Sequence, residues 1–253
     1  MEGIRPVPQQ RIREKLDEYM SRRDYDGVTR HLRYWLAEAR AAGDLRGELM
    51  VRNEFVGHSR KIGDKAGAFE HIDAALSLID RLDLRGAVIE GTTCVNAATA
   101  LNAFGENERA LALFERARAV YEGGSGVEPA LLGGLYNNMG LTCAALGRCD
   151  AALSLYEKAM DAMACAPHGA LEQAITCLNM ADLAAQRDGM EAGEGEIFAL
   201  LDRAVALLDA PGIPRDGYYA FVCEKCAPTL EYYGYFLDAA RLKRQAGAIY
   251  EGH

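Results

Sequence analysis

Between residues 135 and 160 the chain reads LYNNMGLTCAALGRCDAALSLYEKAM. Apolar side chains recur there at three- and four-residue steps, the spacing that gathers them on one face of an α-helix. The pattern breaks at Gly147-Arg148 and then resumes. Comparable breaks follow helical runs at Gly63-Asp64, Gly105-Glu106 and Gly234. A glycine at such a point can take the left-handed backbone that closes a helix, because it has no Cβ. The spacing therefore predicts helices in pairs, each pair split by a short glycine turn. Pro167, Pro211, Pro214 and the GGSG at 123–126 fall between pairs and mark joints.

The pairs repeat. Gly140, Gly147, Ala152, Tyr156 and Ala159 set a ruler; Ala98, Gly105, Ala110, Phe114 and Ala117 stand 42 residues earlier at the same offsets. Val56, Gly63, Ala68, Ile72 and Ala75 stand another 42 residues back. Looser copies flank these three. Ala181 is followed, after a longer turn, by Ile197, Leu201 and Ala204, and near the C-terminus come Ala227, Gly234, Ala239 and Ala246. In that last copy Lys243 stands where a bulky apolar residue is expected. Val28, Leu32 and Trp35 fit the second half of a first copy. A small residue where two helices cross lets the backbones approach while the aromatic fills the adjacent space. A single hairpin cannot bury its apolar stripe, so the copies must stack. The chain is expected to be all-α, a single domain over 1–253, with units at 9–44, 45–85, 86–124, 127–166, 168–210 and 215–251.

Composition narrows the setting. Half of the chain is apolar, yet no apolar run approaches the ~18–20 residues that cross a bilayer. The N-terminal MEGIRPVPQQRIREKL has no secretory apolar segment, so a cytoplasmic location and no membrane contact are expected. Seven cysteines at irregular spacing read as reduced thiols. Net charge is −9: residues 1–85 carry 16 Lys and Arg against 15 Asp and Glu, and residues 86–253 carry 12 against 22. That acidic stretch repels phosphate backbones, which excludes nucleic acid and favours a neutral to basic protein partner.

The order of small residue, glycine turn, Ala, aromatic and Ala resembles the tetratricopeptide repeat (TPR) across nearly the whole chain. The 42-residue spacing is similar to the longer-helix variety of kinesin light chains and bacterial regulatory TPR proteins. The family's first-helix aromatic is present at Tyr136, whereas Arg52, Cys94, Cys177 and Cys223 hold the matching slots. The resemblance implies a right-handed α-solenoid of about six hairpins and about 12 helices, whose first helices line a concave groove.

In that family an Asn two residues before the small first-helix residue often faces the groove and holds the main chain of an extended peptide. Asn96, Asn138 and Asn179 occupy this slot, and Asn53 joins them if its helix is one residue longer. A carboxamide both donates and accepts, so a row of them suits backbone recognition. Asn137, Thr99, Leu141, Asp182 and Gln186, with Arg60 and Lys61 nearer the N-terminal end, complete the expected groove. Bridging between neighbouring helices is the other use for such asparagines. The resemblance implies a non-catalytic peptide-binding scaffold; the alternative within it is a bacterial regulatory sensor that binds a signalling peptide or partner regulator.

Other chemistry is sparse. Cys223 and Cys226, in CEKC, form the lone CxxC and carry the enzyme alternative, thiol- or metal-dependent; no second pair at zinc-ligand spacing accompanies them. His31, His58, His71, His168 and His253 are scattered, with no nucleophile–base arrangement, and His58 reads as a surface or groove-lining residue. No cofactor, metal or catalytic residue is expected. Tyr218, Tyr219, Tyr232, Tyr233, Tyr235 and Phe236 crowd the last unit and read either as a cap over the end of the stack or as a homodimer contact.

Overall fold

The computed structural model describes residues 5–167 and 169–251; His168 and His253 lie outside them. Among the described residues all regular structure is helical: α1 (Gln9–Ser21), α2 (Tyr25–Ala41), α3 (Leu45–Ile62), α4 (Lys65–Arg81), α5 (Val88–Ala103), α6 (Asn107–Gly123), α7 (Pro129–Ala145), α8 (Cys149–Ala164), α9 (Ala170–Asp188), α10 (Glu194–Leu208), α11 (Gly217–Tyr232) and α12 (Phe236–Glu251). Each odd-numbered helix packs chiefly on the even-numbered helix after it, so the 12 helices form six hairpins. The fold is an all-α solenoid of helical repeats. The hairpins group into two compact units, Met1–Ser125 and Gly126–His253, divided within the GGSG joint, and each unit has its own core.

The repeat ruler marks core positions. Val56, Ala68, Ile72, Ala75, Ala98, Ala110, Phe114, Ala117, Ala152, Tyr156 and Ala159 are all at most 2 % exposed. The role of Gly140 is geometric: a Cβ there would sit 2.5 Å from the Tyr156 ring, so the ring lies directly against the α7 backbone. At the turn after α7, Gly147 has φ of +72°, a conformation that side chains with a Cβ resist. In the last hairpin the apolar slot expected at position 243 is filled by its neighbour, Leu242, which is fully buried. Lys243 turns outward and pairs with Glu231 at 2.5 Å.

Three helices of the first unit start on one motif. Asp24, Asp44 and Asp64 cap α2, α4's predecessor α3, and α4, each accepting from the amide three residues on, at Gly27, Gly47 and Gly67. Such a cap satisfies one of the open amides of a helix N-terminus. Glycine leaves room for the cap, because a Cβ there would come within 2.1–2.3 Å of the capping carboxylate and push it aside. Arg52, in the slot where the family places an aromatic, is buried with its charge met: Nε donates to Glu48 Oε1 at 2.9 Å and Nη1 to His71 Nδ1 at 3.1 Å. His71 in turn stacks on Phe55, with ring centres 4.1 Å apart.

Candidate binding face on the first helices

Within the first unit α3 packs beside α5, and within the second α7 packs beside α9 and α9 beside α11. In these pairs the first helix of one hairpin thus stands next to the first helix of the following one. Positions nine, six and two before the small crossing residue, and one after it, lie a turn or two apart on one helix face. In α5 these are Ile89, Thr92, Asn96 and Thr99; in α7, Leu131, Gly134, Asn138 and Leu141. In α9 they are Glu172, Ile175, Asn179 and Asp182; in α11, Tyr218, Phe221, Lys225 and Pro228. Every one of them is exposed or half-exposed except Ile175, at 3 %. The face is open to solvent in both units.

The adjacent asparagines of α7 part company here. Asn137 is buried, and its Oδ1 accepts from Thr176 Oγ1 at 3.1 Å and Asn179 Nδ2 at 2.9 Å, tying α7 to α9. Asn138, one residue on, faces the open stripe, and no hydrogen bond of its side chain is recorded among the described residues. Asn53 does not join the groove slot. It stands three residues before Val56, as Asn137 stands three before Gly140, and it makes the matching bridge: Nδ2 donates to Thr93 Oγ1 on α5 at 3.1 Å. Asn53 and Asn137 are therefore structural ties. Asn96 is exposed on α5, and Asn179 is half-buried, with its amide spent on Asn137 and its carbonyl oxygen left to accept.

The remaining expected groove residues divide in the same way. Leu141, at 36 %, and Asp182 lie on the stripe, while Thr99 is half-buried and its hydroxyl returns to Val95 O in its own helix. Gln186 is exposed but reaches across to Ala144 O at 3.0 Å, a second α9–α7 tie. Arg60 and Lys61 are exposed at the C-terminal end of α3. Asp182 accepts from Tyr233 Oη at 2.9 Å, and Glu172 accepts from Tyr218 Oη, so these two α9 carboxylates are held from the α11 side. Burial pushes both carboxyls above the ordinary range; Lys225 opposes the shift at Glu172, and the Tyr233 hydroxyl opposes it at Asp182.

Two expectations need correction. Tyr219 and Tyr233 belong to no surface: they are 0 % and 7 % exposed, part of the second unit's core, because α11 turns them inward while Tyr218 and Tyr232 point out. His58 is no lining residue either. It is buried, with Nε2 2.7 Å from Thr29 Oγ1. Cys223 and Cys226 are buried as well, and burial pushes the Cys226 thiol up to about 12, far from the thiolate a nucleophile or metal ligand needs. Among the described residues no three His, Cys, Asp or Glu side chains gather as a metal site, and no helix is long and apolar enough to cross a membrane.

Glu172 and Phe221 are face residues that the asparagine row does not single out. Their signal was in the register: Glu172 stands nine before Ala181, as Tyr218 stands nine before Ala227, and Phe221 six before it.

Residues 91–128 match the family described as Tetratricopeptide repeat. A comparison with curated proteins finds no match. Among solved structures the chain is similar to BtubC (BKLC) from P. vanneervenii, at 16 % identity over 92 % of this chain and 91 % of that one, with a TM-score of 0.60. It is also similar to a kinesin light chain-like protein of Podosopora anserina with nearly identical TPR-like repeats, at 17 % identity over 79 % of this chain and 94 % of that one, TM-score 0.55. These likenesses show the fold.

Proposed function

We propose that this TPR-like repeat protein is a non-catalytic scaffold that holds an extended segment of a protein partner against its first-helix faces. The observation that supports this most is the split between neighbouring asparagines. Asn53 and Asn137 each spend one end of the carboxamide on tying their helix to the next first helix, whereas Asn96, on the open face of α5, and Asn138, on that of α7, have no side-chain hydrogen bond among the described residues. Asn is a mediocre helix former, so its presence at these open mid-helix positions, exposed at Asn96 and half-exposed at Asn138, suits a use that packing does not supply. Along α7, α9 and α11 the second unit offers Asn138, Leu141, Asn179 and Asp182 to one ligand: carboxamides for main chain, a leucine for an apolar side chain, a carboxylate for specificity.

Charge favours a neutral to basic segment. The second unit carries nine Lys and Arg against 17 Asp and Glu, a balance of −8. The free cysteines suit a reducing, cytoplasmic setting. A homodimer is a second reading, favoured by the exposure of Tyr232 at 75 %, Phe236 at 65 % and Leu237 at 87 %.

Panning a random peptide display library on the purified chain tests the main reading. The Asn138→Ala, Asn179→Ala double variant is expected to lose the enriched peptides while circular dichroism stays helical. Failure of the intact chain to enrich any peptide would sink it, and light scattering at rising concentration would then decide for or against the dimer.

A further inference from the structure

The N-terminal ends of α9 and α11 hold a constellation that the asparagine row does not explain. Glu172, on the open stripe of α9, accepts the Tyr218 hydroxyl but is joined to no cation among the described residues. Tyr218 and Phe221 stand beside it on α11, 46 % and 48 % exposed, with ring centres 6.2 Å apart and planes 25° from parallel. On α7 the equivalent of Phe221 is Gly134, where even an added Cβ would meet nothing within 4 Å. A carboxylate partly withdrawn from water thus stands beside two large rings that are left in it.

From this we infer that Glu172, Tyr218 and Phe221 form an anchor for one arginine side chain of the bound partner. The inference rests on the proposed peptide-binding function and names the side chain that the second unit selects. A guanidinium is planar, weakly hydrated and always charged, so it can lie on the exposed Tyr218–Phe221 rings while its edge donates to the Glu172 carboxylate. The Tyr218 hydroxyl fixes that carboxylate in place before the ligand arrives, which lowers the ordering penalty of binding. Burial of Glu172 works in the same direction, since a half-desolvated carboxylate gains more from a cation than a fully hydrated one does. Lys225 is the nearest cation on the same helix, two turns from Tyr218; its ammonium reaches Glu172 through space but makes no recorded hydrogen bond to it. An ammonium on a flexible stem makes a poorer ring partner than a guanidinium. Arginine is therefore the occupant, and lysine the competitor to compare.

Two measurements separate this inference from the reading it rests on. Acetyl-arginine amide is titrated into the full chain while the ring resonances of Tyr218 and Phe221 are followed by NMR, with acetyl-citrulline amide as the uncharged match and acetyl-lysine amide as the second cation. Saturable shifts with the arginine probe, weaker with lysine and absent with citrulline, are expected, and Glu172→Gln and Phe221→Ala should each weaken them roughly tenfold. Glu172→Gln keeps an acceptor for Tyr218, and Phe221 is half exposed, so both variants should fold. Equal response to citrulline, or none to arginine, overturns the anchor. The second measurement is the composition of peptides enriched by display. Peptides that bind through Asn138 yet carry no arginine overturn the anchor and leave the scaffold reading intact. Arginine-specific shifts without any enriched peptide leave the anchor and overturn the extended-peptide reading.

Discussion

Glycine at two positions of α7 shows how finely single residues are specified. Gly140 is pressed by the Tyr156 ring, whereas Gly134 faces open space. Replacing either with alanine improves helix propensity by about 0.5–1 kcal/mol. At Gly134 nothing opposes that gain, so Gly134→Ala is expected to raise the urea midpoint slightly. At Gly140 the new methyl must displace a ring that is 1 % exposed and closely packed. Overpacking of this kind costs about 1–3 kcal/mol, so Gly140→Ala should lower the midpoint despite the better helix former. The capping aspartates carry a parallel contrast. Asp64→Ala removes one side-chain cap and should cost ~1 kcal/mol. Asp44→Ala should cost more, because its Oδ2 also accepts from Val7 N at 2.9 Å and pins the segment before α1. Equal losses for the two variants, read from urea unfolding, would mean that the Val7 contact contributes nothing.

At the scale of elements, the 42-residue register was legible because it is a packing rule: small, aromatic and turn residues recur wherever helices cross, whatever the ligand. The hairpins, their glycine turns and most core positions could be read from it. What could not be read was the use of a polar residue at the edge of the packed stripe. Asn137 and Asn138 differ by one step, about 100° around the helix, and only the placement of α9 shows that the first meets Thr176 while the second meets solvent. Asn53 was misplaced by that same single step. Tyr219 and Tyr233 were misread because composition counts aromatics without saying which way the helix turns them. The two asparagines of α7 should therefore behave oppositely under substitution. Asn137→Ala leaves the Asn179 amide short of its acceptor and cuts the tie between α7 and α9, a loss of about 1–3 kcal/mol, while Thr176 keeps Glu172 O as its acceptor. Asn138→Ala should leave stability within about 0.5 kcal/mol and act on ligand binding alone. Thermal unfolding of the two single variants checks this directly, and equal destabilisation by both would remove the ground for assigning Asn138 to a ligand.

At the scale of the whole molecule, the histidines among the described residues set a pH dependence in the first unit, beside the raised carboxyls of Glu172 and Asp182 in the second. His31, His58 and His71 all lie within Met1–Ser125, and each is held below the ordinary histidine value of 6.5, chiefly by burial. For His58 the hydrogen bonds show why. With the Thr29 hydroxyl proton placed on Tyr25 O, the contact at 2.7 Å assigns the tautomer in which His58 Nε2–H donates to Thr29 Oγ1. That leaves Nδ1 as the bare nitrogen, buried and without a partner among the described residues. Charging the ring would place a proton on Nδ1 where no acceptor waits. His71 faces the further obstacle of Arg52, whose guanidinium already donates to its Nδ1. In such cases the unfolded chain binds protons more readily than the native one, so stability present above pH 6.5 drains away as the pH falls toward the depressed native values. Trp35, the chain's single tryptophan, is partly buried in the same unit and reports on it separately from helix content. Its urea midpoint, followed by fluorescence, should fall between pH 7 and pH 5. His58→Gln keeps a donor for Thr29 without a group to charge and should make that fall smaller. A midpoint that holds steady from pH 7 to pH 5 in the unmodified chain would show that these imidazoles take up protons in place, and that their surroundings are wetter than the packing around them implies.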